Sequence, residues 1–75
     1  MVTVWEIDER KDGQECGVAG PFRSLKAARE ALPVVAAGDY PHMRAVAHGK
    51  ECIFLSDGQR VNAVVLVIQK CEFAE

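Results

Sequence analysis

The side chains that could take part in chemistry are few, and they lack the spacing that a reaction or a metal ion requires. The two histidines, His42 and His48, lie six residues apart on one predicted strand. That separation is roughly 20 Å along a strand, too far for both to bind one metal ion. Ser24 and Ser56 have no adjacent combination of histidine and acid. We therefore predict no catalytic residue, no metal site and no cofactor, and we expect a protein that is not an enzyme.

The acidic side chains occur in pairs, which we interpret as solvated charge. Asp8 and Glu9 are adjacent, and Asp57 lies near Glu51 beside a predicted turn. The net charge is −3 over residues 1–20, +3 over residues 21–50 and −2 over residues 51–75, which gives −2 overall. A dedicated nucleic-acid-binding protein is usually clearly basic, so direct nucleic-acid binding is the less favoured function.

The cysteine content indicates a reducing environment. The chain has three cysteines, an odd number without a Cys-x-x-Cys pair, which argues against a disulfide framework and favours a cytoplasmic location. We interpret each as a small buried hydrophobic residue; they are Cys16, Cys52 and Cys71. The longest apolar run has six residues, 63–68, whereas a membrane span needs about 20, so we expect no membrane partner.

The elements that position these side chains are five predicted strands and one helix in a single domain, residues 1–75. Alternating apolar residues predict a strand over 2–8, and Asp12-Gly13 favours a tight turn into a second strand over 14–19, so that residues 1–20 form a hairpin. Three further strands, 42–47, 51–56 and 60–69, are separated by short turns and predict an antiparallel meander over 42–69. We expect the tail, residues 70–75, to be frayed or loosely docked.

A helix is predicted over residues 24–37. Ser24 is a good N-cap residue, and an apolar stripe with helical spacing follows it. Pro33 lacks an N–H group and is expected to break the helix, and Gly38 is expected to end it. The stripe consists of Leu25, Ala28, Leu32 and Val35.

The element order ββαβββ predicts an α+β fold, with a single antiparallel sheet and one helix packed on one of its faces. The apolar residues of the helix and of the helix-facing strand positions should form most of the core. The predicted core contains Trp5, Ile7, Leu25, Ala28, Leu32, Phe54, Val65 and Val67.

The fifth strand is apolar on both faces, and one short helix covers only one of them. With Val65 and Val67 under the helix, the opposite face carries Val64, Leu66 and Ile68. Contiguous exposed apolar surface usually marks an interface, so we expect these three residues to contact a second copy or a protein partner. The alternative is that the tail closes this face, using Phe73.

A basic group at the start of the predicted helix is the one polar feature that favours recognition. Arg23, Lys26 and Arg29 are close in sequence, and Arg44 and Arg60 could extend the group. Arginine pairs well with carboxylate or phosphate, and Tyr40 is an aromatic residue of the kind enriched at interfaces. The alternative is an ordinary solvated helix face.

Four local stretches resemble small phage-encoded anti-CRISPR proteins that inhibit type I CRISPR surveillance complexes. They are 24–29 at the helix start, Met43-Arg44, the turn at Gly49, and Ile53-Phe54-Leu55 leading to residues 57–60. The resemblance implies a short, non-enzymatic, stoichiometric inhibitor in the host cytoplasm. It would dock on a subunit of a CRISPR-Cas nucleoprotein complex and block target-DNA binding or nuclease recruitment.

Two functional hypotheses follow. The first is a small binding protein that acts by surface occlusion, with the anti-CRISPR-like inhibitor as its most concrete form. The alternative is a nucleic-acid-binding or regulatory module that uses the basic helix face. Few aromatic residues are available to stack on bases, which disfavours the alternative. A structural subunit of a larger assembly cannot be distinguished from the first hypothesis by sequence.

Overall fold

The fold is a five-stranded antiparallel sheet with one helix on one face, as the sequence predicts. A computed structural model describes residues 1–74. The elements are β1 (Val2–Lys11), β2 (Gln14–Phe22), α1 (Leu25–Asp39), β3 (Arg44–His48), β4 (Cys52–Ser56) and β5 (Val64–Phe73). The order ββαβββ and the α+β class are confirmed.

The strands lie in the order β2-β1-β5-β4-β3, so the N-terminal hairpin joins the C-terminal meander through the pairing of β1 with β5. The turn between β1 and β2 places Asp12 at φ 52° and Gly13 at φ 78°. These positive φ values explain why Asp-Gly marks the hairpin in the sequence.

The helix begins where the sequence predicts and continues through the predicted break. The hydroxyl oxygen of Ser24 accepts a hydrogen bond from the backbone N–H of Ala27 at 3.1 Å, which caps the first turn. Pro33 lies inside α1, and the prediction of a break there is wrong. Proline removes one hydrogen bond, but Leu32 and Ala36 on either side of it are buried against the sheet, and this packing holds the helix together.

The last strand lies further along the chain than the sequence predicts. Residues 60–63 precede β5, and residues 70–73, predicted to belong to a frayed or loosely docked tail, are part of it. They pair with the first residues of β1, from Val2 opposite Phe73 to Trp5 opposite Lys70. This pairing gives residues 2–5 and 70–73 backbone partners in one another, a long-range partnership that a local sequence pattern does not reveal. Glu75 lies outside the described residues.

The two faces of β5 are exchanged relative to the prediction. Val64, Leu66 and Ile68 lie under α1 and are buried in the core, so their assignment to an exposed partner face is wrong. The register gives the reason. Ile68 is paired with Ile7, and residues paired across an antiparallel ladder share a face. Because Ile7 faces the helix, Ile68 faces it too, together with Val64 and Leu66. Val65 and Val67 lie on the opposite face.

The same exchange affects β4. Ile53 and Leu55 are in the core, whereas Phe54, predicted as a core residue, pairs with Val65 on the opposite face. The helix residues of the predicted core behave as expected: Ala28 and Leu32 are buried, and Leu25 packs against the core while partly exposed.

Candidate functional site

The sheet face opposite α1 is the candidate site, and we call it the helix-free face. Its apolar side chains come from β1, β4 and β5 and adjoin through the strand register. Val2 and Phe73, which pair at one end of this face, are 43% and 57% exposed. The remaining apolar members are half-buried: Val4, Cys52, Phe54, Val65, Val67 and Cys71. A contiguous apolar surface of this kind is typical of a face that contacts another protein.

A group of carboxyl side chains lies beside this apolar surface. Asp8 occupies the middle of β1, opposite Gly17 of β2 and Val67 of β5. The Gln69 side chain amide donates a hydrogen bond of 3.0 Å to a carboxylate oxygen of Glu15. Since Gln69 is on β5 and Glu15 is on β2, this bond crosses β1 and covers Asp8, which is only 7% exposed.

The carboxyl groups of Asp8 and Glu6 converge above Gly17. Asp8 Oδ1 and Glu6 Oε2 each lie 3.6 Å from the position that a Cβ atom on Gly17 would take. Beside them is a shallow depression of about 340 Å³, lined by Glu6 and residues 17–21 of β2. The missing side chain at Gly17 therefore leaves the Glu6 carboxyl group open to a ligand that approaches along β2, while the buried Asp8 Oδ1 lies next to the same Gly17 position.

Burial and like charge change the titration of this group. Burial, followed by the neighbouring carboxyl groups of Glu6 and Glu15, raises the pKa of Asp8 from 3.8 to about 6. Burial and the charges of Glu6 and Asp8 also raise the pKa of the Cys71 thiol. The Cys71 thiol is therefore protonated at neutral pH, which makes it a poor nucleophile.

The sequence interpretation of Asp8 as solvated charge is wrong, because its side chain is buried within β1. Its neighbour Glu9 points to the other face and accepts a hydrogen bond from the hydroxyl of Tyr40. The alternation along β1 placed Asp8 on the face of Val4 and Glu6. Glu15 and Gln69 come near Asp8 only through the register of β2 and β5 with β1, which the sequence does not give.

The six residues predicted to form a recognition patch are not brought together. Arg23, Lys26 and Arg29 lie at the start of α1, whereas Tyr40 follows its last residue. A helix of 15 residues is about 22 Å long, which separates the two sets. Arg44 begins β3 and Arg60 precedes β5, so both lie at the end of the sheet where the helix finishes. Arg44 and Arg60 therefore do not extend the group at the helix start.

Several of these basic residues have acidic partners within the chain. Arg29 is 3.4 Å from Glu51, and Arg60 is 3.0 Å from Asp12 and 3.6 Å from Asp57. Arg60 therefore ties the loop before β5 to the hairpin turn. Arg23, Lys26 and Arg44 form no ion pair within residues 1–74 and are exposed.

The serines have local structural contacts, and His48 borders an apolar groove. Ser24 caps α1, and the Ser56 hydroxyl accepts a hydrogen bond of 3.2 Å from the backbone N–H of Gly58. His48 lines a groove of about 230 Å³ between the second half of α1 and β3, with Ala36, Met43 and other apolar residues. Within residues 1–74, β3 is exposed along its whole length and has β4 as its one paired strand.

Comparisons with protein-family models, with curated proteins and with solved structures give no match to this chain. No helix within residues 1–74 is long and apolar enough to cross a membrane. Within the same residues, no three histidine, cysteine or acidic side chains are grouped so as to hold a metal ion.

Proposed function

We propose that this chain is a small non-enzymatic protein that binds another protein through its helix-free face and acts by covering part of that protein's surface. The observation that supports this most directly is the row of partly exposed apolar side chains that β1, β4 and β5 present away from the helix. In a chain of 75 residues the core is thin, and apolar surface left outside it is costly unless it is buried in a complex.

The resemblance to anti-CRISPR proteins supplies the first partner to test. In that form of the proposal, the helix-free face docks on a protein subunit of a type I CRISPR surveillance complex in the host cytoplasm. The bound chain then blocks target-DNA binding or nuclease recruitment by occupying space, so its effect saturates at one chain for each site. No side chain of the inhibitor takes part in a reaction.

The acidic group on the helix-free face favours a protein partner over a nucleic acid. Glu6, Asp8 and Glu15 place negative charge beside the apolar surface, where it would repel a phosphate backbone. Phe54 is the aromatic residue in the centre of this face, whereas sheets that bind single strands use several aromatic side chains to stack on bases. Both observations disfavour a nucleic-acid-binding module that uses the sheet.

The same group favours a foreign partner over a second copy of the chain. A twofold interface places the same patch of both copies in contact. Face-to-face association would therefore add a second set of carboxyl groups to the interface, and buried like charges oppose binding. A homodimer remains an outcome that sedimentation at micromolar concentration distinguishes.

The basic group at the helix start is a separate binding hypothesis. Arg23 and Lys26 are exposed on the helix side of the sheet, so they would contact an acidic surface away from the helix-free face. Cations near a helix N-terminus oppose the helix dipole, so the fold itself does not favour them there.

The experiment measures how tightly a purified type I surveillance complex binds the wild-type chain and two variants, each of which introduces one negative charge. Val67→Glu alters the helix-free face, and Val34→Glu is the matched control on the exposed side of α1, where Val34 is 70% exposed. We expect Val67→Glu to weaken binding at least about tenfold, or about 1.4 kcal/mol, and Val34→Glu to bind as the wild type does. Equal binding by both variants would contradict the assignment of the interface. No binding by any of them would reject this partner.

A further inference from the structure

One oxygen of the buried Asp8 carboxyl group, Oδ1, lacks the hydrogen-bond partner that a buried polar atom requires. The Asp8 side chain is 7% exposed, and Oδ1 forms no hydrogen bond with any described residue. Buried polar groups are nearly always hydrogen-bonded, and buried charges are nearly always paired, so an orphaned carboxyl oxygen calls for an explanation. Asp8 lies opposite Val67 of β5, next to an irregularity in the pairing of β1 with β2, and an apolar residue would fit Val67 at no such penalty.

The charged and titratable groups around Asp8 are mostly acidic. Those from β1 are Glu6 and Arg10, the one from β2 is Glu15, and the one from β5 is the Cys71 thiol. The Arg10 guanidinium is directed to Glu15, with Nε 3.4 Å from its carboxylate. Among residues 1–74, Asp8 and Glu6 form no ion pair. The cluster therefore holds three carboxyl groups and one cation.

We propose that Asp8 and Glu6, beside Glu15, form a receptor site for an arginine side chain of the protein that docks on the helix-free face. This inference rests on the proposed function, because it names the chemistry of the partner at that same face. The orphaned oxygen Oδ1 and the carboxylate of Glu6 supply the acceptors, and the absent side chain at Gly17 leaves space beside them.

Arginine fits this site better than lysine for geometric reasons. The guanidinium group is planar and has five N–H donors, so it can bind two carboxylates side by side. It is also less strongly hydrated than an ammonium group, and its flat faces pack against apolar side chains such as Val67. The depression of about 340 Å³ is lined by Glu6 and Gly17 and not by Glu15 or Gln69, so an arginine side chain can reach the Glu6 carboxylate through it while the Gln69–Glu15 hydrogen bond stays in place. Asp8 Oδ1 lies beside the same Gly17 position.

The cluster and the apolar surface would act together in the complex. An ion pair at the rim of an interface contributes little, whereas one that is removed from water and surrounded by apolar contacts can dominate the affinity. Asp8 is already withdrawn from water before binding, so part of its desolvation penalty is met by the fold and not by the association step.

The first test uses guanidinium chloride as the probe, at a concentration too low to denature the protein. Carboxyl carbon NMR of the wild-type chain follows the titration of Asp8 in guanidinium chloride and in tetramethylammonium chloride at equal ionic strength. We expect the apparent pKa of Asp8 to be lower in guanidinium by about half a unit or more, because a bound cation stabilises the carboxylate. The carboxyl group of Asp57, in an exposed loop, is the internal control and should titrate alike in both salts.

The second test uses the partner once binding is established. Asp8→Asn should weaken binding at least about tenfold, whereas Asp39→Asn, at the exposed end of α1, should leave it unchanged. The inference is overturned if Asp8 titrates identically in the two salts, or if Asp8→Asn binds as tightly as the wild type. If Asp8→Asn binds normally while Val67→Glu does not, the arginine site fails and the proposed function stands. If Val67→Glu binds normally, the proposed function itself fails.

Discussion

Gln69 and Glu15 are joined by a side-chain hydrogen bond of 3.0 Å that passes over the central strand β1 and encloses Asp8 beneath it. The two residues lie 54 positions apart in the chain, and each flanks β1 from a different side. The bridge crosses the strand that carries Asp8, which is only 7% exposed although its face has no helix. It links the packing of the hairpin to the electrostatics of the candidate site.

Asp8 makes the stability of the protein depend on pH. Its folded-state pKa of about 6 is higher than its ordinary value of 3.8, so the folded state favours the protonated form. The resulting contribution to stability is complete below about pH 4 and is lost as the pH rises through about 6. Asp8→Asn removes this titration, and we expect it to be more stable than the wild type at pH 8 by about 1–3 kcal/mol. Urea unfolding of both proteins from pH 4 to pH 8 measures the difference, and a difference that does not change with pH would contradict the assignment.

Removing the Gln69–Glu15 hydrogen bond should bring the pKa of Asp8 closer to its ordinary value. Gln69→Ala removes the amide that covers Asp8, and because burial is the largest cause of the raised pKa, we expect that pKa to fall toward 3.8. Gln14→Ala, at an exposed position of β2, is the matched control and should leave the Asp8 pKa near 6. Carboxyl carbon NMR measures both variants. An unchanged pKa in Gln69→Ala would mean that the bridge does not shield Asp8.

The two faces of β5 should differ in their contribution to stability. Val64 is 2% exposed under α1, and Val65 is half-buried on the helix-free face, so the pair compares one residue type at adjacent positions. Val64→Ala should lower the free energy of unfolding by about 2 kcal/mol, and Val65→Ala by less than half as much. Chemical denaturation measures both. A larger loss for Val65→Ala would show that the faces are assigned the wrong way round.

The basic group at the helix start should be dispensable for folding. Arg23 is exposed, and Arg29 pairs with Glu51 only at the surface, where ion pairs contribute little. The double variant Arg23→Glu, Arg29→Glu should keep or slightly raise the melting temperature, since acidic residues suit a helix N-terminus. Calorimetry tests this expectation. In the partner-binding assay, a loss of about tenfold would support the separate binding hypothesis for this group, and full binding would identify it as a solvated helix face.

The sequence predicts the positions of the strands and the helix better than it predicts how the strands pair. Local signals were sufficient for the Ser24 cap, the Asp12-Gly13 turn and the alternation along β1, because each depends on a few neighbouring residues. The faces of β5 depended on its register with β1, which is set by contacts about 60 residues apart along the chain. Pro33 was misjudged for a related reason: the packing of its neighbours against the sheet outweighs the local preference of proline to end a helix.

The sequence predicts only part of the candidate site. The observation that β5 is apolar on both sides correctly indicated a sheet face without a helix, although its residues are Val65 and Val67. The acidic cluster could not be found, because Glu15 and Gln69 come near Asp8 only when β2 and β5 both pair with β1. The length of α1 separates the basic group at its start from Tyr40, Arg44 and Arg60.

Binding through the helix-free face is tested most directly by quantitative capture from a bacterial lysate on four immobilised forms of the chain at equal loading. These are the wild type, Val34→Glu and Val67→Glu, with Phe73→Glu as a second variant of the helix-free face at a position 57% exposed, where folding is not at risk. We expect the wild type and Val34→Glu to retain at least one protein whose amount falls at least about tenfold on both variants of the helix-free face. Retention of the same proteins at equal levels on all four forms would contradict the claim that this face binds a partner.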